Sequence, residues 1–390
     1  MLRGEHLAWQ FDERDPVIHP PEYPDYVEPG TPRWRRWWLA LLVLWGAQAG
    51  LLLSLWPEGR PRLELWLWSA VLPLAWLLVL SLRMLVWQVG LINRDAYRNT
   101  LEQARQRWWR RRSAALPVDQ VLLLGPAGDV QAYYLGFMAA RPVPQPETDA
   151  NGSRLRCQLA RMGGEDRCVR LGRHLGRQAL ALPGRAERWP RLRGLAWVGN
   201  AGSEAAFVEA LAAGGVTLPE TRWRMGSLDE LDALIDTFPK VCGQKEDGLL
   251  CAGVVSREQA GEGEVPGEAG FLWVVKRGRA LGLHRGEYLL PEKNEAASDL
   301  CQQMQRYGGL AEAPDCLALD AASMAAFAEG GWSANQHQLA EYWGALGELA
   351  PFVGMSLAAV QVAESGKPCG WLGKDETGRL AMGVVVSHGG

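Results

Sequence analysis

Two long apolar runs, Trp37–Trp56 and Leu65–Ile92, constrain this chain more than any other feature, and Arg83 is the only charged residue inside them. A bilayer core of about 30 Å needs roughly 20 apolar residues of helix, and both runs meet that length. The short polar break Pro57–Glu64 between them makes a hairpin of two spans, residues 37–93. The segment before it, residues 1–36, contains Glu5, Asp12, Glu13, Asp15 and the run Pro20-Pro21-Glu22. A cleavable signal needs a basic start followed at once by an apolar core, so the first span reads as a retained anchor behind an extended polar arm. The arm reads as a disordered tail, or as a peptide that docks on a partner through Tyr23 and Tyr26.

Charge orients the hairpin. Arg33, Arg35 and Arg36 precede the first span; Arg94, Arg98, Arg105, Arg107 and Arg110, Arg111 and Arg112 follow the second. Lys and Arg near membrane ends favour the cytoplasmic side, so both termini are expected in the cytoplasm of a two-pass inner-membrane protein of bacterial type. Trp34, Trp37, Trp38, Trp56, Trp66 and Trp68 stand near the span ends, where indoles prefer the headgroup layer. With Arg35, Arg36, Arg110, Arg111 and Arg112 they form the expected membrane-anchoring set. Arg83 is expected to snorkel, the alternative being that it marks a buried contact. Residues 94–115 read as a basic juxtamembrane helix, continuing the second span or lying along the inner surface.

From residue 116 to 390 the pattern changes. Short apolar runs closed by Gly or Pro (VDQVLLLGP, LRGLAWVGN, DGLLCAGVVS, AGFLWVVKRG, DCLALDA, LAMGVVVS) alternate with helical stretches such as SEAAFVEALAAGG, SLDELDALIDTF, SDLCQQMQRYGG and NQHQLAEYWGALGELA. That alternation predicts an α/β domain with a substantial sheet. Residues 142–164 and 258–267, rich in Gly and Pro, read as surface loops, and no repeat shows as sequence identity.

Familiar chemical signatures are missing. GPAGD at 125–129 lacks the Lys-Ser/Thr of a phosphate loop and reads as a turn. There is no GxSxG and no HExxH. The six histidines hold no metal-ligand spacing, and His337 reads as a surface residue. The seven cysteines, 157, 168, 242, 251, 301, 316 and 369, form no CxxC, and their odd number fits a reducing compartment. A net charge of -3 does not suggest nucleic-acid binding. No cofactor, metal or catalytic constellation is expected.

DGLLCAGVVS followed by VPGEAGFLWVVKRG resembles the middle of condensing enzymes of the thiolase and ketoacyl synthase superfamily. The closing VGMSLAAVQVAESGKPCGWLGKDETGRLAMGVVV is similar to their last helix and strand pair. The resemblance spans Leu116–Val386 and implies a thiolase-like layered α/β domain. It also implies a nucleophilic cysteine at a strand-to-helix turn with histidine or asparagine partners. At the matching helix stands Gly226-Ser227-Leu228, where Ser227 reads as an N-cap completed by Glu230; Cys242 and Cys251 are the only alternative candidates, and Cys251 reads as a buried apolar residue.

The leading expectation is therefore a non-catalytic, condensing-enzyme-like adapter or scaffold. Its architecture resembles accessory proteins of type VI secretion, the lipase-adapter family. Expected partners are the lipid bilayer and a protein, a secreted effector or a second copy. The alternatives are a divergent membrane-associated acyltransferase and a structural subunit of a membrane complex using Gly46, Ala47, Ala49 and Gly50 for helix packing.

Overall fold

The computed structural model describes residues 23–27, 29–55, 57, 61–128, 143–149, 152–159, 166–182, 189–261, 263–278, 281–293, 295–333 and 339–387. The chain divides into two compact units, Met1–Trp109 and Arg110–Gly390.

In the first unit, helix α1 (Trp34–Leu55) and the first part of α2 (Arg62–Arg112) are long and apolar enough to cross a membrane. Their apolar side chains point outward, and no residue of α1 is buried, as lipid-facing helices require. They pair through Gln48 Nε2, which donates to Trp68 O at 2.8 Å, and through the Trp37 and Trp76 rings at 5.1 Å. The arm is held where it is described. Tyr97 donates to Pro24 O at 2.8 Å, its ring packs on Tyr26 at 5.6 Å, and Arg83 donates to Gly30 O at 3.3 Å. Tyr26, one of the two tyrosines through which the arm would dock in the alternative reading, packs on Tyr97 of α2. At residues 94–112 the helical continuation is what forms.

The second unit is the mixed α/β domain the alternation predicts. Its strands are β1 (Ala115–Leu124), β4 (Arg191–Val198), β5 (Arg222–Arg224), β6 (Asp247–Ser256), β7 (Glu268–Lys276), β8 (Leu281–His284), β9 (Glu287–Tyr288), β10 (Asp315–Ala318), β11 (Cys369–Lys374) and β12 (Leu380–Ser387), with a separate small hairpin β2 (Glu147–Asp149) and β3 (Gly152–Arg154). Its helices are α3 (Arg167–Ala181), α4 (Ala201–Ala213), α5 (Leu228–Val241), α6 (Ala297–Gly308), α7 (Ala321–Ala328), α8 (Ala340–Trp343) and α9 (Ala350–Ser365).

The sheet order β10-β11-β12-β8-β1-β7-β6-β4-β5 contains a duplication. Reading outward from β1, the neighbours β7 and β6 are antiparallel and β4 is parallel to β6. From β8, the neighbours β12 and β11 are antiparallel and β10 is parallel to β11. The halves meet in the antiparallel pair β1·β8, Ala115 opposite His284, so a pseudo-twofold axis passes between those strands. The helices follow the same rule: α3, α4 and α5 in the first half correspond in chain order to α6, α7 and α9 in the second.

Side-chain alternation assigns the faces. Leu250, Ala252, Val254, Leu272 and Val274 join α3 and α4 in one core, while Leu249, Cys251, Phe271, Trp273 and Val275 join α5 and α9 in the other. A register shift between Val118 and Gln120 lets Leu116, Val118 and Leu123 share the second face. Helix α9 is buried from Ala350 through Val360 without interruption, as an all-round apolar helix must be.

Three expectations need correction. The described part of 335–350, residues 339–350, is not one helix: α8 ends at Gly344, φ +65°, and Gly347, φ +58°, opens a 3-10 turn (Gly347–Leu349). Left-handed backbone at two glycines ends the helical path. The described parts of 142–164 and 258–267 are not simply surface loops. Leu155 N donates to Pro266 O at 2.9 Å and Gly267 N to Ala345 O at 3.1 Å, and Cys157 is buried.

Candidate functional site

The pseudo-twofold brings the starts of the two inner helices, α5 and α9, near one another. At α5, Ser227 Oγ accepts from Glu230 N at 3.3 Å, and the Glu230 carboxylate turns back to accept from Gly226 N. The expected cap is present, with Glu230 reaching one residue earlier than a capping box would. Tyr288 OH accepts the Leu228 N–H at 3.3 Å, and Arg379 lies 3.9 Å over the Tyr288 ring. The first N–H groups of α5 are thereby occupied by the protein's own oxygens.

Glu348 stands in the turn before α9 and faces the start of α5: a Cβ on Gly226 would lie 3.1 Å from Glu348 Oε2. Half-buried, Glu348 has its carboxyl pushed up by desolvation and by Glu376, against the opposing Arg224 and Arg257. Arg257 lies so close over Gly347 that its guanidinium fills the space of a Cβ there. Beside these groups opens a cavity of about 870 Å³, within the roughly 300–1,000 Å³ of ligand sites. It is bounded by Arg257 and the following loop, the starts of α7 and α8, and the β11–β12 turn Lys374–Gly378.

No thiol at this site is set up for attack. Cys242 is the C-cap of α5, at the end of the helix opposite Ser227, and burial pushes its thiol up to about 11. Cys251 is wholly buried in β6 and burial raises it further. Burial also raises Cys301 to about 11, Cys369 to about 12, and Cys168 and Cys316 in the same direction. Nucleophilic cysteines require the reverse shift. Among the described residues no group of His, Cys, Asp and Glu has a metal-binding arrangement.

The glutamate of VPGEAG, Glu268, is a structural residue. It is 2 % exposed and accepts from Arg167 Nε at 2.8 Å, Cys157 N at 2.9 Å and Ser256 Oγ at 2.8 Å. Gly125 N and Gly128 O close a tight turn at 3.1 Å, so the described part of GPAGD is the turn it was read as. Of the expected anchoring residues, Trp34, Trp38, Trp66 and Trp68 are exposed, as are Arg35, Arg36 and Arg110, while Trp37 packs on Trp76. Arg112 is directed elsewhere: only 13 % exposed, it pairs with Asp232 at 3.1 Å and with Glu287, and Arg111 pairs with Asp236 at 2.7 Å. Arg285, 2 % exposed, ties the same two aspartates of α5 together. Trp56 and His337 lie outside the described residues.

Sequence reasoning missed Glu348, Glu376 and Arg257, because nothing in their local pattern shows that residues so far apart in the chain share one corner.

No protein-family model and no curated protein sequence matches the chain. Solved structures do. The ishigamide ketosynthase/chain length factor is 13% identical with a TM-score of 0.49, covering 70% of this chain and 100% of its own. A ketosynthase from module 6 of the bacillaene synthase of Bacillus subtilis 168 is 13% identical with a TM-score of 0.49, covering 71% of each chain. Xanthomonas campestris OleA bound to cerulenin is 10% identical with a TM-score of 0.43, covering 70% of this chain and 96% of its own.

Proposed function

We propose that this chain is a membrane-tethered binding module: a condensing-enzyme-like domain that holds a partner protein non-covalently at the membrane. One observation carries the reading. The helix start at which a nucleophile would stand is Ser227, engaged as a cap, while six of the seven thiols have their ionisation suppressed by burial. The finer reading is that the partner is an effector of a type VI secretion machinery, as the sequence resemblance suggests. The full chain in detergent micelles, incubated with the uncharged thioester octanoyl-N-acetylcysteamine at pH 7.5 and weighed intact, is expected to remain unmodified. An acyl adduct on any cysteine overturns the proposal.

A second reading, a divergent acyltransferase, is favoured by Glu348 alone. A carboxyl with a raised proton affinity beside a cavity is the type of group used in acid–base chemistry. Any acyl transfer by the full chain should then fall at least about a hundredfold in Glu348→Gln, and activity unchanged by that substitution removes this reading.

A further inference from the structure

The cavity has a charge pattern that selects its ligand. Among the described residues five carboxylates line it, Glu264, Asp320, Glu341, Asp375 and Glu376, against two cations, Arg257 and Lys374. Both cations are already engaged. Lys374 pairs with Glu264, and Arg257 Nη1 lies 3.4 Å from Glu376 Oε1. Asp375 is held by Arg379 at 2.8 Å, and Asp320 caps α7 by accepting from Ser323 N at 2.8 Å. Glu341, exposed on α8, has no ion pair among the described residues. The surplus is negative.

That surplus repels polyanions: nucleic acid, anionic headgroups and CoA thioesters. The uncharged wall carries aliphatic Pro144, Pro146, Leu155, Leu319 and Leu346 beside polar Gln145 and Thr377. No described aromatic residue lines it, so it offers no cage for a small ammonium ligand. The main chains of Val265 and Ala345, which also line it, pair with each other, Val265 O accepting from Ala345 N at 2.8 Å.

We infer that this groove binds an extended basic and apolar polypeptide segment of a partner protein. Lys or Arg side chains meet Glu341 and Glu376, and aliphatic ones meet Pro144, Leu319 and Leu346. The inference rests on the reading of the chain as a binding module and names the chemistry of what it holds.

Fluorescence anisotropy of the full chain in neutral detergent tests it, with two labelled peptides. One alternates lysine with leucine and proline; the other carries glutamate in place of every lysine. The lysine peptide is expected to bind and to weaken as salt rises, the glutamate peptide to bind at least about tenfold more weakly. Glu341→Lys and Glu376→Gln should each weaken the lysine peptide several-fold, while Glu312→Lys, away from the groove, leaves it unchanged. Equal binding of both peptides, or insensitivity to Glu341→Lys, overturns the inference.

A parallel affinity purification from the native host separates the two levels of failure. A protein co-purified equally by the wild type and Glu341→Lys sinks the groove and spares the binding module. Neither peptide binding nor a co-purified protein sinks both.

Discussion

Glu287 is the residue whose chemistry is hardest to foresee and simplest to test. It sits in β9, 6 % exposed, against Arg112 and 3.0 Å from Tyr307 OH. Burial raises its carboxyl to about 7, with the opposing pull of Arg112 only partly compensating. A carboxyl raised on folding binds more protons in the folded state than in the unfolded one. Its contribution to stability is therefore present in acid and is lost as pH climbs from the ordinary glutamate range through about 7. Glu287→Gln should remove that slope: between pH 4.5 and 7.5 the variant's thermal midpoint should rise relative to the wild type. A constant difference across the series contradicts the burial argument. Glu268 shows the limit of a sequence at this scale. Its motif marked it as a family feature, yet what it does depends on Arg167, which is 101 positions away.

At the scale of elements, α3 and α4 approach through glycine. A Cβ at Gly172 would lie 2.2 Å from Ser203 O, and one at Gly176 would lie 2.7 Å from Ala210 Cβ. Helix propensity alone makes Gly→Ala favourable by about 1 kcal/mol. The collision with main-chain oxygen reverses the sign, because overpacking costs about 1–3 kcal/mol and the backbone cannot swing aside. Gly172→Ala should lower the thermal midpoint; a rise would show that the helices separate freely. The elements themselves were legible in proportion to their burial. Runs such as DGLLCAGVVS and AGFLWVVKRG are buried on both faces, so their continuous apolar character announced β6 and β7. The three-residue β5 and two-residue β9 carry no period and were invisible. The break at Gly344 and Gly347 was masked by helix formers on either side, Ala340–Trp343 and Gly347–Leu349 being too short to show their own pattern.

At the scale of the whole molecule, the two long apolar helices were plain because they match the length that bilayer thickness sets, which few soluble segments do. The duplication was not, since α5 is amphipathic and α9 apolar all round, and such divergence removes identity while the pairing order persists. The candidate site was equally hidden, as it lies where the halves bring their helix starts together. Two unrelated features predict the side of the membrane on which the second unit works. Arginines flank both spans at the same end of the hairpin, with Arg33, Arg35 and Arg36 on one side and Arg94, Arg98, Arg105, Arg107 and Arg110 on the other. The cysteines are free and six of the seven are buried, a usage suited to a reducing compartment. A green fluorescent protein joined after Gly390 should fluoresce, and alkaline phosphatase joined there should stay inactive. Exchanging Arg33, Arg35 and Arg36 for glutamine weakens the first signal but leaves the arginines after the second span, so the orientation should hold in most molecules. An active phosphatase on the wild-type chain would place the cavity, its surplus of carboxylates and its partner on the far side of the membrane.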